Sequence, residues 1–254
     1  MKQTGNTILI TGGGSGIGAA LAQRFHDQGN TVVVAGRRRA ALEQAIAGRP
    51  RMHAIELDVD SAGGVADFAK RLLAAHPSLN VLVNNAGVMR FEALDRARDL
   101  ADAEQTIGTN LLGPIRLIDA LVGHLTAQPD AVIVNVTSGL AFVPLVATPT
   151  YNATKAAMHS YTLSLRAALK GRVEVIELAP PAVQTGLTPG QESRPGYQPL
   201  DEFADEVLAQ FAQAPTPPEI LVERVRFLRF AEAEGRFDAT MTQLNDFATK
   251  AREG

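Results

Sequence analysis

The chain has 254 residues, no cysteine and a formal net charge of −3 at pH 7. The lack of thiols excludes disulfides and thiolate nucleophiles, and the five scattered histidines show no metal-ligand spacing. The slight negative charge argues against binding to nucleic acid or anionic membranes by bulk electrostatics. The sequence shows neither a signal-peptide core nor an apolar run of membrane-spanning length. We therefore expect a soluble, cytoplasmic protein without a metal site.

Short β-branched segments alternate with segments of helical length. The predicted strands are residues 7–10, 31–35, 53–57, 81–83, 131–136 and 173–178, with 220–222 as a candidate seventh. The predicted helices are residues 16–28, 40–47, 61–76, 99–125 and 151–170. Near-continuous apolar strands are typical of a parallel sheet that is covered on both faces. The pattern predicts one three-layer α/β domain over residues 1–254, a Rossmann-type, doubly wound parallel sheet.

A long irregular segment, residues 180–199, follows the sixth predicted strand. It contains five prolines and three glycines, and loops of this length inside a compact domain are usually functional or mobile. We expect residues 181–199 to form a lid over the substrate. Beyond it, residues 200–254 are expected to contain a helix, the candidate seventh strand and polar helical turns.

A glycine-rich turn connects the first predicted strand directly to the first predicted helix. Glycine permits close approaches that a Cβ would forbid, and a helix N-terminus attracts phosphate through unpaired N–H groups and its dipole. The alternative is an ordinary tight turn, but the strand–turn–helix context favours a dinucleotide pyrophosphate site. No Lys-Ser or Lys-Thr pair follows, which argues against a P-loop nucleotidase. The expected cofactor contacts are Gly12, Gly14, Ser15, Gly16, Ile17 and Gly18.

The second predicted strand ends at Gly36, which is followed by Arg37, Arg38 and Arg39. A site that prefers NAD usually carries an acid here, to bind the ribose 2′-hydroxyl. Guanidinium groups instead bind a 2′-phosphate through bidentate, charge-assisted bonds. A solvated basic turn is the alternative. The pattern favours NADP(H) as the preferred cofactor, with Arg37 and Arg38 as its ligands and NAD(H) left open.

Tyr151 and Lys155 lie four residues apart in one predicted helix, and therefore on one face of it. A nearby ammonium favours phenolate over phenol, so we expect Lys155 to lower the pKa of Tyr151. Such a tyrosine could exchange a proton with a substrate hydroxyl while hydride moves to or from nicotinamide. Ser138, after the fifth predicted strand, could bind the substrate carbonyl oxygen. A chance Tyr–Lys pair is the alternative, but its position after the expected strands favours catalysis.

In this order, the motifs resemble the short-chain dehydrogenase/reductase family over residues 7–187. The glycine pattern of that family falls on the turn after the first strand, and its Asn-Asn-Ala-Gly motif falls on residues 84–87. The resemblance implies a catalytic set of Asn110, Ser138, Tyr151 and Lys155. It implies further cofactor contacts at Asp58, Val59, Asn84, Ala86, Gly87, Tyr151, Lys155, Pro180, Val183 and Thr185. Residues 110–121, 138–145 and 177–185 are also similar to the DltE-type subgroup.

Two departures from the family pattern bear on the lid and on assembly. Pro181 stands where the family usually has glycine, and it stiffens the entry to the lid. The family's common glycine-rich C-terminal ending is absent from residues 200–254, which puts the tetramer contacts made by that ending in doubt.

An apolar helical stripe predicts self-association. It consists of Ile107, Leu111, Ile115, Ile118, Val122 and Leu125. The resemblance implies that this helix and the helix of Tyr151 pack against their symmetry mates, which gives a homodimer or a homotetramer. The alternative is that the stripe packs against its own sheet.

Pro114 lies four residues after Asn110 in the predicted helix 99–125. Proline has no N–H and its ring crowds the carbonyl four residues back, so we expect a kink that frees the Asn110 carbonyl. A water between this carbonyl and Lys155 would then relay protons to solvent, as the resemblance also suggests. The alternative is a kink that only fits the helix to the sheet.

The sequence therefore predicts an NADP(H)-dependent oxidoreductase that acts on the carbonyl or alcohol of a small, largely apolar substrate. The apolar segment 139–149 suggests the substrate walls, whereas Arg90 is a surface arginine or a ligand for a substrate carboxylate. The main alternative is a non-catalytic NADPH-binding sensor or interaction protein on the same fold. Such a protein needs no catalytic set. An epimerase or dehydratase would need a larger C-terminal substrate domain.

Overall fold

Seven parallel strands form one sheet with the order β3-β2-β1-β4-β5-β6-β7, in a computed structural model that describes residues 1–253. The strands are β1 (Thr7–Thr11), β2 (Thr31–Gly36), β3 (Met52–Glu56), β4 (Leu79–Asn84), β5 (Val132–Val136), β6 (Glu174–Leu178) and β7 (Glu219–Ile220). The predicted single α/β domain of Rossmann type is confirmed. The candidate seventh strand is present but only two residues long.

Nine α-helices flank the described sheet. They are α1 (Gly16–Asp27), α2 (Arg39–Ile46), α3 (Ala62–Ala75), α4 (Ala101–Ile107), α5 (Gly113–Leu125), α6 (Pro149–Ala168), α7 (Leu200–Phe211), α8 (Glu223–Arg229) and α9 (Phe237–Glu253). Short 3₁₀-helices lie at Gly139–Ala141 and Gln191–Ser193. Among the described residues, no helix combines the length and the apolar character that crossing a membrane requires.

Side chains of the central strands alternate between two apolar layers on opposite faces of the sheet. Ile8 and Ile10 face the layer that holds Phe25 of α1, whereas Leu9 faces the layer that holds Phe68 of α3. Helices α1, α2 and α7 cover the first face, and α3, α5 and α6 cover the second. Because both faces are covered, these strands have continuous apolar sequences instead of alternating ones.

The predicted helix 99–125 is interrupted by a π-helical turn, Gly108–Leu112. The Gly113 N–H bonds to the carbonyl of Gly108, five residues back, which is the spacing of a π turn. Pro114 follows in the first turn of α5, which continues directly from the π-helical turn. The distortion predicted near Pro114 is present as a widened turn just before the proline, whereas the release of the Asn110 carbonyl stays a prediction.

The C-terminal part contains more regular helix than the sequence indicated. Residues 237–253 were expected as polar helical turns but form α9. This helix places Met241 and Leu244 against the buried side chains of Val143 and Leu228. Burial of this small apolar cluster stabilises a helix whose mean composition is polar.

Candidate active site

A cavity of about 530 Å³ opens where the chain reverses its winding direction, at the carboxyl ends of β1 and β4. Crevices at this point of an open α/β sheet commonly bind ligands. Most of the predicted site residues line the cavity. They are Gly12, Gly14, Ser15, Gly16, Ile17, Arg37, Arg38, Val59, Ala86, Gly87, Ser138, Tyr151, Lys155, Pro180, Val183 and Thr185.

The glycine turn after β1 is packed too closely to admit side chains. Gly12 has a φ of +66°, and a Cβ there would lie 2.9 Å from the Cα of Ala86. A Cβ on Gly18 would lie 2.5 Å from the carbonyl oxygen of Gly12. Gly18 therefore lies behind the cavity lining and lets α1 approach the turn, whereas Gly12 lets the turn approach the loop after β4.

The first turn of α1 borders the cavity through Gly16 and Ile17. Its N-cap, Ser15, makes no side-chain capping bond, and the first turn carries no acidic residue. The initial N–H groups of a helix have no intrahelical acceptor and form the positive end of its dipole. This arrangement fits the pyrophosphate of a dinucleotide.

The three arginines after β2 have different surroundings. Arg37 and Arg38 are exposed at the wall of the cavity, with Arg38 Nη2 3.3 Å from Ser15 Oγ. Arg39 instead bonds to Glu43 of its own helix, with an Nε–Oε1 distance of 2.7 Å. Two of the three guanidinium groups are thus placed to meet an anionic ligand.

Besides Gly18, two predicted cofactor residues lie outside the lining. The Asp58 carboxylate accepts a bond from the Asp60 N–H at 3.1 Å, at an exposed turn. The Asn84 side chain is buried and donates to Asn135 Oδ1 at 2.9 Å, so its neighbour Asn85 lines the cavity instead. Thr11 was also missed. Its hydroxyl accepts the backbone N–H groups of Asn85 and Ala86, each at 3.0 Å.

Tyr151, Lys155 and Ser138 meet in one buried part of the wall. Lys155 Nζ donates to the carbonyl of Val136 at 2.8 Å and lies 5.6 Å from the centroid of the Tyr151 ring. Ser138 follows β5 and caps the short 3₁₀-helix through the Leu140 N–H, at 3.1 Å. The end of one strand and the first turns of α6 therefore position the three side chains.

Asn110 lies behind this wall, in the π-helical turn. Its side-chain amide makes two bonds of 2.8 Å with the N–H and the carbonyl of Val88. A Cβ on Gly87 would lie 3.3 Å from Asn110 Oδ1 and 3.8 Å from Lys155 Nζ. The structure thus brings Asn110 near Lys155 while its side chain is committed to the loop after β4. The predicted water relay through its carbonyl stays a prediction.

Burial controls the ionisation of the Tyr–Lys pair. Burial raises the pKa of Tyr151 to about 12, against the opposing effect of a hydrogen bond with Ser138. Burial also lowers the pKa of Lys155 to about 8. The expected lowering of the Tyr151 pKa is therefore wrong for this structure. Desolvation disfavours the charged form of both groups, and the ammonium donates to a backbone carbonyl.

Glu92 is a positioned acid that the sequence reasoning missed. Its carboxylate accepts the Thr150 N–H at 3.0 Å and the Thr150 hydroxyl at 2.8 Å, and it pairs with Arg98. Burial would raise the pKa of Glu92, but the bonds from Thr150 and Arg98 lower it. This acid caps α6 one residue before Tyr151. No local pattern reveals a cap supplied from 58 positions away.

A second charged cluster lies behind Ser138. His159, Glu177 and Glu219 approach one another within 4.8 Å. Glu177 is fully buried and bonds to Thr137 at 2.7 Å and to His159 at 2.8 Å, whereas Glu219 bonds to Arg229 through both oxygens. Because each carboxylate already has protein partners, the cluster is an ion-pair network.

A family model described as short chain dehydrogenase matches residues 6–195. The chain belongs to the short-chain dehydrogenase family. It is therefore an NAD(P)-dependent oxidoreductase that acts on CH–OH groups. The glycine turn, the cavity lining and the Tyr–Lys pair described above lie within the matched residues, whereas α7, α8 and α9 lie beyond them.

Similar proteins extend the match over nearly the whole chain. An uncharacterized oxidoreductase DltE of Bacillus subtilis is 40% identical over 250 residues, which cover 96% of this chain and 98% of that protein. A short chain dehydrogenase of Burkholderia cenocepacia in complex with NADP is 26% identical, with a TM-score of 0.81 over 95% of this chain and 99% of its own. A 3-ketoacyl-(acyl-carrier-protein) reductase of Brucella melitensis complexed with NADH is 27% identical, with a TM-score of 0.76 over 86% and 96%.

Burial of the Lys155 charge, which lowers the pKa of this residue, also lowers the free energy of unfolding. Below about pH 8 the folded protein must hold a buried charge, and this cost is relieved as pH rises towards 10.5, the ordinary lysine value. We predict that Lys155→Met, despite losing the bond to Val136, raises the free energy of unfolding at pH 7 by about 1–3 kcal/mol.

Urea denaturation at pH 7 and pH 9.5 measures this effect, and the gain should shrink at the higher pH. Lys170→Met, at an exposed lysine just after α6, is the matched control and should change stability at neither pH. A Lys155→Met protein less stable than the wild type at pH 7 would contradict the prediction.

Proposed function

We propose that the protein is an NADP(H)-dependent oxidoreductase that interconverts a carbonyl and an alcohol in a small, largely apolar substrate. The observation that carries this proposal is the shared cavity. The glycine turn, the two exposed arginines and the buried Ser138, Tyr151 and Lys155 all line it.

The proposed proton chemistry belongs to Tyr151. When bound, the nicotinamide supplies or accepts the hydride. In reduction, Ser138 holds the substrate carbonyl oxygen, and the Tyr151 hydroxyl transfers its proton to that oxygen as the C–H bond forms. The Lys155 ammonium stabilises the resulting phenolate, and it would hold the nicotinamide ribose when the cofactor is bound. In oxidation the same proton returns to the phenolate.

The high pKa of Tyr151 favours this role in reduction. A phenol with a pKa of about 12 is fully protonated at neutral pH and ready to donate. Lys155, with a pKa of about 8, still carries its charge at pH 7. The Asn110 carbonyl is the candidate for returning a proton through water.

The substrate end of the cavity carries the apolar part of the proposal. Val88, Pro181, Val183 and Leu187 line it. The expectation that segment 139–149 supplies the substrate walls is wrong, because the described lining passes from Ser138 to Tyr151 without it. Arg90 also lines it, but its guanidinium is held by Gln105 at 3.2 Å and by Asp102 at 3.4 Å. These bonds support a role in holding the loop after β4 against α4.

We assign residues 181–199 as the lid. Gln191, buried within this segment, donates to the Val183 carbonyl at 2.8 Å and to the Thr185 hydroxyl at 3.2 Å. Backbone bonds between Gln184 and Gln198, and between Gln198 and Ala182, join its two ends. These bonds within the segment hold the lid together as one unit.

A non-catalytic NADPH-binding protein would share the glycine turn and the two exposed arginines, but its function would not depend on the Tyr151 phenol. We predict that Tyr151→Phe lowers turnover at least 100-fold, because it removes the acid–base group. The affinity for NADPH should stay within twofold of wild type. NADPH absorbance with a panel of ketones and aldehydes measures the first, and fluorescence titration measures the second.

Tyr161→Phe is the matched control for this variant, because Tyr161 lies on the same helix but is half-buried against the apolar layer beside α6, outside the cavity lining. It should retain the wild-type rate. A Tyr151→Phe enzyme with more than a tenth of the wild-type rate would contradict the assignment.

The preference for NADP(H) rests on Gly36, Arg37 and Arg38. A Cβ on Gly36 would meet only Leu42 Cδ2, at an ordinary 3.6 Å, so an aspartate fits there. We predict that Gly36→Asp combined with Arg37→Ala shifts the ratio of NADP to NAD affinity towards NAD by one to three orders of magnitude, roughly 1.4 kcal/mol per decade. Repulsion of the 2′-phosphate and loss of a guanidinium both act in this direction.

Titration of both cofactors measures this shift. Arg39→Ala is the control, because Arg39 pairs with Glu43 outside the cavity lining. Equal affinity of the wild type for NADP and NAD would overturn the preference.

We also propose that the chain forms at least a homodimer through α4, α5 and α6. Of the predicted stripe, Ile118 and Leu125 are buried beneath the chain's own sheet, as the alternative requires. Ile107 and the neighbouring Leu112 remain 41% exposed, and Leu163 on α6 is 44% exposed. Exposed apolar side chains on adjacent helices support a partner surface.

Light scattering at micromolar concentration should therefore give at least twice the chain mass of 27.0 kDa. We predict that Leu163→Glu shifts the protein towards the monomer, because the charge would be buried in the contact. Phe227→Glu, at an equally exposed apolar residue of α8, should leave the mass unchanged. A monomeric wild type would refute the assembly.

A further inference from the structure

Helix α9 lies beyond the residues that the family model matches and contacts the segment between Ser138 and α6. We name residues 142–148 the substrate loop. Asn245 of α9 accepts the Val146 N–H at 2.8 Å and donates to the Pro144 carbonyl at 3.2 Å. One side chain therefore satisfies a donor and an acceptor on the backbone of this loop.

The substrate loop is tied to the catalytic helix on its other side. Asn152, the residue after Tyr151, donates to the Leu145 carbonyl at 2.7 Å. Asn245 and Asn152 thus hold three consecutive residues, 144–146, between α9 and α6. A shift of the loop away from α9 would act directly on the turn that carries Tyr151.

Apolar packing supports the same contact. Val143 is fully buried and packs with Leu228 of α8 and with Met241 and Leu244 of α9. The loop therefore has a buried apolar anchor directly before the residues that Asn245 bonds. Pro144 adds backbone stiffness at the same point.

Phe247, two residues after Asn245 on α9, meets the lid. The Phe247 ring stacks on Tyr197, with centroids 6.3 Å apart. A Cβ on Gly196 would lie 2.8 Å from Phe247 Cζ, so the lid backbone passes directly over this ring. Gln198, two residues on, bridges to Val183 at the cavity wall.

We propose that α9 is a strap that joins the lid to the substrate loop, with Asn245 as the positioning residue for that loop. The described lining of the cavity does not include the loop itself, so Asn245 acts on the site through the turn that carries Tyr151. Phe247 is its contact with the lid. The strap acts on substrate affinity and selectivity, because its described contacts reach the loop and the lid but not the glycine turn. This inference rests on the proposed function only in taking the Ser138–Tyr151 side of the cavity as the substrate end.

The first test removes the Asn245 bonds and measures the loop itself. Asn245→Leu should increase amide hydrogen exchange in peptides covering residues 142–148 at least fivefold, because the Val146 N–H loses its acceptor. Exchange in peptides covering residues 7–18 should stay unchanged. Asn245→Asp keeps an acceptor for Val146 and should retain most of the protection, which also covers the case in which Asn245→Leu folds poorly.

The second test separates substrate from cofactor. In the NADPH-linked assay, Asn245→Leu should raise KM for the best carbonyl substrate at least fivefold, with kcat lowered less than KM is raised. The dissociation constant of NADPH should change less than twofold. Phe247→Ala should raise KM in the same way and loosen the lid to limited proteolysis. Asp246→Ala, on the exposed face of α9, is the matched control and should match the wild type.

Unchanged exchange of residues 142–148 in Asn245→Leu would overturn the strap. So would a loss of NADPH affinity by the same factor as the rise in KM, because that result means a general loss of structure. These failures are distinguishable from failure of the proposed function. The exchange measurement needs no turnover, and the proposed function is judged by Tyr151→Phe alone.

Discussion

The Thr11 hydroxyl joins the two strands between which the winding of the sheet reverses. It accepts the N–H groups of Asn85 and Ala86, the first residues after β4, while Thr11 itself ends β1. Asn85 Nδ2 returns a bond to the Thr11 carbonyl at 2.9 Å. These bonds fix the separation of the glycine turn and the loop after β4, and the cavity forms between them. The relative position of the glycine turn and of the wall that holds Ser138, Tyr151 and Lys155 depends on this pairing.

Polar groups near this cavity are buried at a cost that hydrogen bonds offset. Lys155 bonds to Val136, and Asn110 bonds to Val88. Behind them, Asn84 bonds to Asn135, which donates to Thr162 at 3.0 Å. Satisfied networks of this kind specify one arrangement of neighbouring elements. Lys155 differs from these groups because it is ionisable. Burial lowers its pKa to about 8, so holding its charge in the folded protein costs stability.

Much of the fold followed from patterns that are local in sequence. The apolar runs identified the strands of the sheet, and the glycine turn before α1 identified the candidate pyrophosphate site. The Tyr151–Lys155 spacing identified α6 as the candidate catalytic helix. Pro114 predicted a distortion within 99–125 because proline acts on the carbonyl four residues back. The distortion is a π-helical turn because the Gly113 N–H bonds to the Gly108 carbonyl, five residues back. The sequence pattern does not show which carbonyl accepts this N–H.

By itself, the sequence determined the elements whose causes lie within a few residues: periodicity, turn chemistry and the i, i+4 pair. Only the tertiary structure decided which of two adjacent asparagines faces the cavity, and that Glu92 caps α6. It also decided that burial outweighs the hydrogen bond with Ser138 in setting the pKa of Tyr151, and that Asn245 reaches a loop 99 residues away. These outcomes depend on desolvation and on contacts between distant segments. Both arise only when the chain packs, so no local pattern contains them.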